Sequence, residues 1–283
     1  MSALQLLRSF TARITSDTTT CCLTTILRYD TEIIAVDYSN KNLKTFSAEG
    51  VCLSVLNLQS SPRRACVTPE GEIVVTLQGE YMIMFLVKFG HQLFPSLDIP
   101  TAKDYALIEA VDNSLICGKC GCPGYIDIIN YRGHVLHSFS AFSSNGLRIS
   151  FPSYLAVHPL GDLLLSEVRS DGYQALIRCN LSGDIKFFYQ GAKKTLKCPS
   201  GVSVDKNGYI YVACRMQNQI YCLTSTGNLH NVLKTKPNAI SNPGSIFVTP
   251  DGSTLILAEF GSENVKVFDI QSVDDYITDV DSC

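Results

Sequence analysis

Gly50, Gly90, Gly133, Gly183 and Gly227 recur at intervals of about 40 to 50 residues, each between two runs in which apolar and polar residues alternate. No other feature limits the fold so tightly. The clearest unit is Pro199-Ser-Gly-Val-Ser-Val-Asp-Lys-Asn-Gly-Tyr-Ile-Tyr-Val-Ala-Cys214, followed by Gln219 to Gly227. It reads as an inner strand, an Asp-Lys-Asn-Gly turn, a second strand, a polar loop, a third strand and a glycine turn. An outer strand, Asn228 to Leu233, follows. Period-two alternation broken by Asn-Gly-type turns is the signature of antiparallel hairpins, because such turns match the twist of the strands they join.

The same grammar runs through Glu32 to Gly50 and through Gly71 to Gly90. A degenerate copy covers Leu115 to Gly133, and a longer one runs from Pro152 through Gly161 and Glu167 to Gly183. The last runs from Pro243 through Leu255 and Glu259 to Phe268, with its turn expected near Gln271. Four strands per unit at this period mean propeller blades. The expectation is all-β: a six-bladed β-propeller of four-stranded antiparallel blades, at 21–58, 64–97, 105–140, 152–189, 199–233 and 243–271.

The sixth unit supplies three strands and then meets Asp274, Asp275, Asp279 and Asp281. At the other end, Leu4 to Phe10 reads as an outer strand. It is expected to complete the last blade, over 3–10, and so remove open sheet edges. Arg8 and Arg13, with no acid before Asp17, also give this segment the composition of a transit peptide. Closure is the reading adopted, because cleavage would leave the sixth blade incomplete. The propeller then occupies 1–273, with an acidic tail at 274–283.

The run Pro-Ser-Gly-Val-x-Val-Asp-x-x-Gly-x-Ile-Tyr-Val-Ala resembles the NHL repeat. Pro243-Gly244, Ala258-Glu259 and Asn264 to Phe268 look like the same motif in the last blade. Blades two and three keep the spacing and lose the signature residues. The chain thus resembles the C-terminal NHL domain of tripartite-motif (TRIM-NHL) proteins. That resemblance implies a part that selects protein or RNA targets, in a ubiquitin ligase whose catalytic RING it does not supply. Six-bladed rings also include lactonases and amidating lyases, so fold alone does not fix function.

Composition narrows the classes further. The longest apolar run, Tyr81 to Val87, is too short to span a bilayer, and no membrane partner is expected. Of the 12 cysteines, Cys52, Cys66, Cys179 and Cys222 sit inside apolar strand patterns, where a free thiol behaves as a small hydrophobe. A reduced, cytoplasmic compartment is expected, which leaves the sequon Asn180-Leu181-Ser182 idle.

Loops between second and third strands share one face, here called the top, with the loops between blades. The between-blade loops are expected to hold Arg63, Arg64, Lys103, Arg148, Lys193, Lys194, Lys197, Lys234 and Lys236. The within-blade loops add Lys41, Lys119, Arg169 and Arg215, so more than half of the 23 basic residues fall on this face. Tyr38, Tyr81, Tyr125, Tyr173 and Phe260 lie in or beside these loops. A basic face with aromatics suits a protein or peptide partner, or single-stranded RNA, whose phosphates and bases meet cations and ring faces. DNA is not expected, and the isolated domain is expected to be monomeric.

Two constellations are candidates for metal. Cys117, Cys120 and Cys122 have chelating spacing, although no second Cys-x-x-Cys or His pair accompanies them. Asp37, Glu167 and Glu259 end second strands near the axis and are candidates to share a cation at the channel mouth. The five histidines, His91, His134, His137, His158 and His230, fall on outer strands or on the opposite face. No cofactor and no catalytic activity is expected; a metal-dependent hydrolase or lyase is the remaining alternative.

Overall fold

The computed structural model describes residues 3–119, 124–139, 152–169, 171–192, 195–233, 236 and 239–271. Six four-stranded antiparallel sheets form in sequence order. Blade 1 holds β2 (Leu23–Tyr29), β3 (Glu32–Asp37), β4 (Asn42–Phe46) and β5 (Cys52–Asn57). Blade 2 holds β6 (Pro62–Val67), β7 (Ile73–Leu77), β8 (Met82–Phe89) and β9 (Gln92–Pro100). Blade 3 holds β10 (Leu107–Val111), β11 (Ser114–Lys119), β12 (Tyr125–Asn130) and β13 (Val135–Phe139). Blade 4 holds β14 (Pro152–Val157), β15 (Leu163–Val168), β16 (Gln174–Cys179) and β17 (Ile185–Tyr189). Blade 5 holds β18 (Pro199–Val204), β19 (Ile210–Cys214), β20 (Gln219–Leu223) and β21 (Leu229–Leu233). Blade 6 takes β22 (Pro243–Val248), β23 (Thr254–Glu259) and β24 (Asn264–Gln271), and borrows β1 (Ala3–Thr11) from the start of the chain.

The inner strands β2, β6, β10, β14, β18 and β22 neighbour one another in turn around a central channel, and β22 returns to β2. The apolar core is accordingly a set of six seams between adjacent blades. Leu43 and Ile73 pack across the first seam, Ile83 and Ile108 across the second, and Ala258 and Ile33 across the closing one. Alternation points one face of each sheet forward and the other back, so both faces of every blade are buried by its neighbours.

β1 pairs antiparallel with β24 from Ala3↔Gln271 to Thr11↔Asn264, which confirms the expected closure. It also behaves as an outer strand towards the next blade. Phe10 packs on the Gly50 turn of blade 1, as Phe187 of β17 packs on the Gly227 turn of blade 5. At Gly50 and Gly227 the backbone has φ of +90° and +84°, and a Cβ would collide with the phenyl ring, so the glycines are required twice over.

Inner strands repeat a second device. Pro62, Pro152, Pro199 and Pro243 each start a strand, and a register irregularity follows immediately in each. The residue two places after the proline is Arg64, Tyr154, Gly201 and Ser245 respectively. At Gly201 a Cβ would lie 2.6 Å from the Gly244 carbonyl oxygen and 2.7 Å from the Ile246 nitrogen, so blades 5 and 6 approach backbone to backbone. Gly201→Ala is expected to destabilise the protein by about 1–3 kcal/mol in urea unfolding through overpacking. Deleting residues 1–14 is expected to lower the Tm by more than about 10 °C, since it strips the edge of β24 and opens the closing seam; an unchanged melting curve would refute the closing role.

Candidate functional site

The channel holds two cavities. Its lower part is a cavity of about 660 Å³ lined by all six inner strands. Its mouth on the top face is a second cavity of about 290 Å³. Arg64 and Tyr154 line both, with the guanidinium 3.7 Å from the centre of the tyrosine ring. This stack joins blade 2 to blade 4 across the ring, and Arg64 Nη2 donates to the Ser153 carbonyl at 3.1 Å.

The placement of Arg63 and Arg64 corrects the sequence reading, which put both in a loop. They are the second and third residues of β6. Pro62-Arg63-Arg64 stands where Pro199-Ser200-Gly201 stands in blade 5, so blade 2 has kept the motif's proline and exchanged its small residues for two arginines. The second motif position, Thr24, Arg63, Ser153, Ser200 and Gly244, rings the mouth cavity. Arg215 and Phe260 complete its wall, stacked at 4.4 Å.

Several other top-face candidates turn out to be partners of one another. Arg63 lies over Tyr38 at 5.6 Å, Lys103 over Tyr125 at 4.2 Å and Arg169 over Tyr173 at 5.2 Å. Each such stack places a cation on the negative face of a ring. Arg169 is also paired with Asp171. Lys103 is committed to the interior, reaching the buried Asp127 carboxylate at 2.7 Å, which also accepts from the Tyr105 hydroxyl at 2.6 Å. Burial, with the Asp127 charge nearby, pushes the Tyr125 phenol up to about 12. Lys41 donates to the Gln59 carbonyl at 3.1 Å, and Lys119, Lys197 and Lys236 are exposed. Tyr81, 54% exposed, and Phe260, 47% exposed, offer open ring surface. Arg148, Lys193, Lys194 and Lys234 lie outside the described residues.

The three strand-end carboxylates do not assemble into a cation site. Asp37 and Glu259 each hold a lysine seven residues further on, Lys44 at 2.8 Å and Lys266 at 2.6 Å. Both lysines point into the seams from third strands. Glu167 is buried at the corresponding end of β15, where Ile177 faces Leu165 at the lysine's place in the ladder. At that place blade 3 carries Asp127 (Cys117↔Asp127), so the charges there are exchanged: acid on the strand, lysine from the loop.

Among the described residues, only Asp17, Cys21 and Asp37 bring potential ligand atoms within 4.8 Å of one another. The Lys44 ammonium already occupies that place, 2.6 Å from Asp17, 2.8 Å from Asp37 and 3.3 Å from the Cys21 sulfur, with both carboxylates and the lysine fully buried. Burial alone would raise the Asp17 carboxyl, but the Lys44 hydrogen bond, the Ile14 amide and the lysine charge outweigh it and hold it below its ordinary value. Asp37 is lowered in the same way, by Lys44, Asn40 and the Cys22 amide against burial. Burial likewise opposes Lys44, whose two carboxylates nevertheless keep its pKa raised. The Cys21 thiol is pushed up to about 12, by burial first and then by Asp37.

Cys117, the first of the three cysteines with chelating spacing, is a core residue. It lies within β11, fully buried in the seam between blades 2 and 3, and burial drives its thiol well above the ordinary range. Cys120 and Cys122 lie outside the described residues, as does the 274–283 tail. None of the five histidines lines the channel or its mouth. The lower channel does hold Glu109 of β10, a residue the sequence reading passed over, whose carboxyl burial pushes up to about 8.

Known proteins place this geometry in context. No family model matches the chain. The chain is distantly similar to the E3 ubiquitin-protein ligase TRIM56: 25% identical to the human protein over 153 residues, 53% of this chain, and 23% identical to the mouse protein over 278 residues, 94% of this chain. These matches span 19% and 35% of those proteins' own lengths. Among solved structures, a virginiamycin B lyase from Staphylococcus aureus superposes with a TM-score of 0.64 at 15% identity, over 96% of this chain and all of that one. A gluconolactonase from Xanthomonas campestris gives 0.66 at 12% identity, over 93% and 90% of the two chains. At such identities the likeness carries the six-bladed fold and nothing of the activity. The protein is a six-bladed propeller with distant similarity to TRIM56.

Lys44→Met should cost about 3–5 kcal/mol at pH 7, because it leaves two buried carboxylates without a counter-charge. Asp17 and Asp37, lowered in the folded wild type, contribute stability that is present above their unfolded pKa of about 3.9 and lost as pH falls through the folded values. Lys44, raised in the folded state, contributes stability present below about pH 10.4 and lost as pH rises through its folded value. In the variant the carboxylates take up protons on folding, so its deficit should shrink as pH is lowered from 7 to about 5. Urea unfolding at the two pH values reads this directly, and a pH-independent deficit would contradict it.

Proposed function

We propose that this propeller is a non-catalytic recognition module that binds a protein or peptide partner through its top face, as the target-selecting part of a TRIM-type ubiquitin ligase. The observation that carries the reading is the half-buried set of arginine–aromatic stacks around the channel mouth, chiefly Arg215 on the exposed Phe260 and Arg63 on Tyr38. Arginine and aromatic side chains supply most hot spots of protein interfaces, because they bury large area and keep a polar edge. The distant similarity to a ubiquitin ligase supports the same reading.

Single-stranded RNA on the same face is the second reading, favoured by the exposed ring of Tyr81 and by Phe260 beside Arg215. Both are tested by selecting from a displayed random-peptide library and from a single-stranded RNA pool against the full chain. The protein reading expects peptides whose affinity falls at least about tenfold in Arg215→Ala and in Phe260→Ala. Lys206→Ala, on the opposite face, should leave it unchanged. Enrichment of RNA alone, with affinity falling steeply as salt rises, would replace the protein reading by the second.

A further inference from the structure

The mouth cavity contains an imbalance of charge that the rest of the ring avoids. Lys44, Lys88, Lys266 and Arg178, cations sunk elsewhere in the fold, each hold a carboxylate at 3.1 Å or closer. Arg63, Arg64 and Arg215 line one cavity of about 290 Å³, and among the described residues its wall includes no carboxylate. None of the three forms a salt bridge among the described residues. Arg63 reaches only the Gln78 side-chain oxygen at 3.4 Å, and Arg215 lies on Phe260. Arg64 spends Nη2 on the Ser153 carbonyl, while its Nε and Nη1 are buried with no hydrogen-bond partner. Buried donors without acceptors are rare, and each one points to something that completes it.

The geometry points to an anion subsite at the channel mouth, and we infer that it takes the carboxylate of an acidic peptide residue or chain end presented by the partner. This deepens the protein-recognition reading and rests on it. Three features select a carboxylate on a peptide. A guanidinium fork matches the planar carboxylate, donating two parallel hydrogen bonds. The volume of about 290 Å³ accepts one side chain and its backbone, not a tracked polymer. The mouth is walled by Pro152, Ser153, Ser200 and Gly244, whose small size leaves an opening from above. Arg64, stacked on Tyr154, forms the floor and meets the anion when its covered nitrogens turn toward it.

The experiment uses the full chain and the peptides selected from the displayed library. Enriched peptides should share an acidic residue, and replacing it by its amide should weaken binding at least about tenfold. Arg63→Gln and Arg215→Gln should cause a similar loss, and in those variants the acid and amide peptides should bind alike. Amidating the peptide end distinguishes a terminal carboxylate from a side chain. Because Arg64 supports the ring, Arg64→Lys serves as its conservative variant, retaining charge but losing the fork; a several-fold loss with an unchanged melting curve is expected. Peptides that need Phe260 yet bind equally as acid and amide would overturn the inference and leave the recognition reading standing. Failure to enrich any top-face peptide would overturn both. An RNA pool that alone responds to Arg63→Gln and Arg215→Gln would also overturn the carboxylate assignment.

Discussion

The pairing of β1 with β24 holds two ends of the chain together across more than 250 residues, and the seams depend on it. A propeller blade cannot bury both of its faces alone, so each seam is stable only while its two blades stay in place. In a closed ring every blade has two neighbours, and opening one seam loosens the adjoining two. β1 supplies the hydrogen bonds that β24 would otherwise offer to solvent, and it carries Phe10 onto the Gly50 turn. The same outer-strand contact, Phe187 on Gly227, recurs where no chain end is involved, so the closing seam is built like an interior one.

Inside this ring, ion pairs tie neighbouring strands of a blade to each other and to the loop that enters the blade. Lys44 and Lys266 occupy the same place in blades 1 and 6, and each reaches back to the acid that ends the preceding strand. Asp127 and Lys103 form the pair with the charges exchanged. Buried pairs of this kind contribute little net stability compared with apolar residues of the same size, but they forbid any arrangement that separates the partners. Asp17 and Lys103 come from the loops that precede blades 1 and 3, so the pairs also fasten loops to the top of the ring.

How much of the candidate site was legible depends on which property carried the information. Phe260, Tyr173 and Arg215 were readable as top-face residues because they follow second strands whose ends the repeat marks. Arg63 and Arg64 were readable as basic but misplaced, since blade 2 lacks the Ser-Gly that identifies the motif elsewhere; Pro62 was the remaining signal. Asp37 and Glu259 were visible as acids at strand ends. Their lysine partners were overlooked, although the common separation of seven residues and the placement of a lysine inside an alternating strand mark both. Tyr154 carried no signal by itself. Its role arises from Arg64, which stands on a blade two places away in the ring.

The sequence by itself determined the repeat, the strand order within each blade, the number of blades and the need for an outer strand from the start of the chain. These follow from local periodicity and turn chemistry, which act over a few residues and are written in consecutive positions. Only the tertiary structure decided which charges are consumed and which stay open. Lys103 is neutralised from a strand some 24 positions away, and Arg64 meets Tyr154 across the channel, while Arg63 and Arg215 meet no carboxylate among the described residues. Pairing of charges is a matter of distance in space and of burial, and the ring brings together residues from different blades that no spacing along the chain connects.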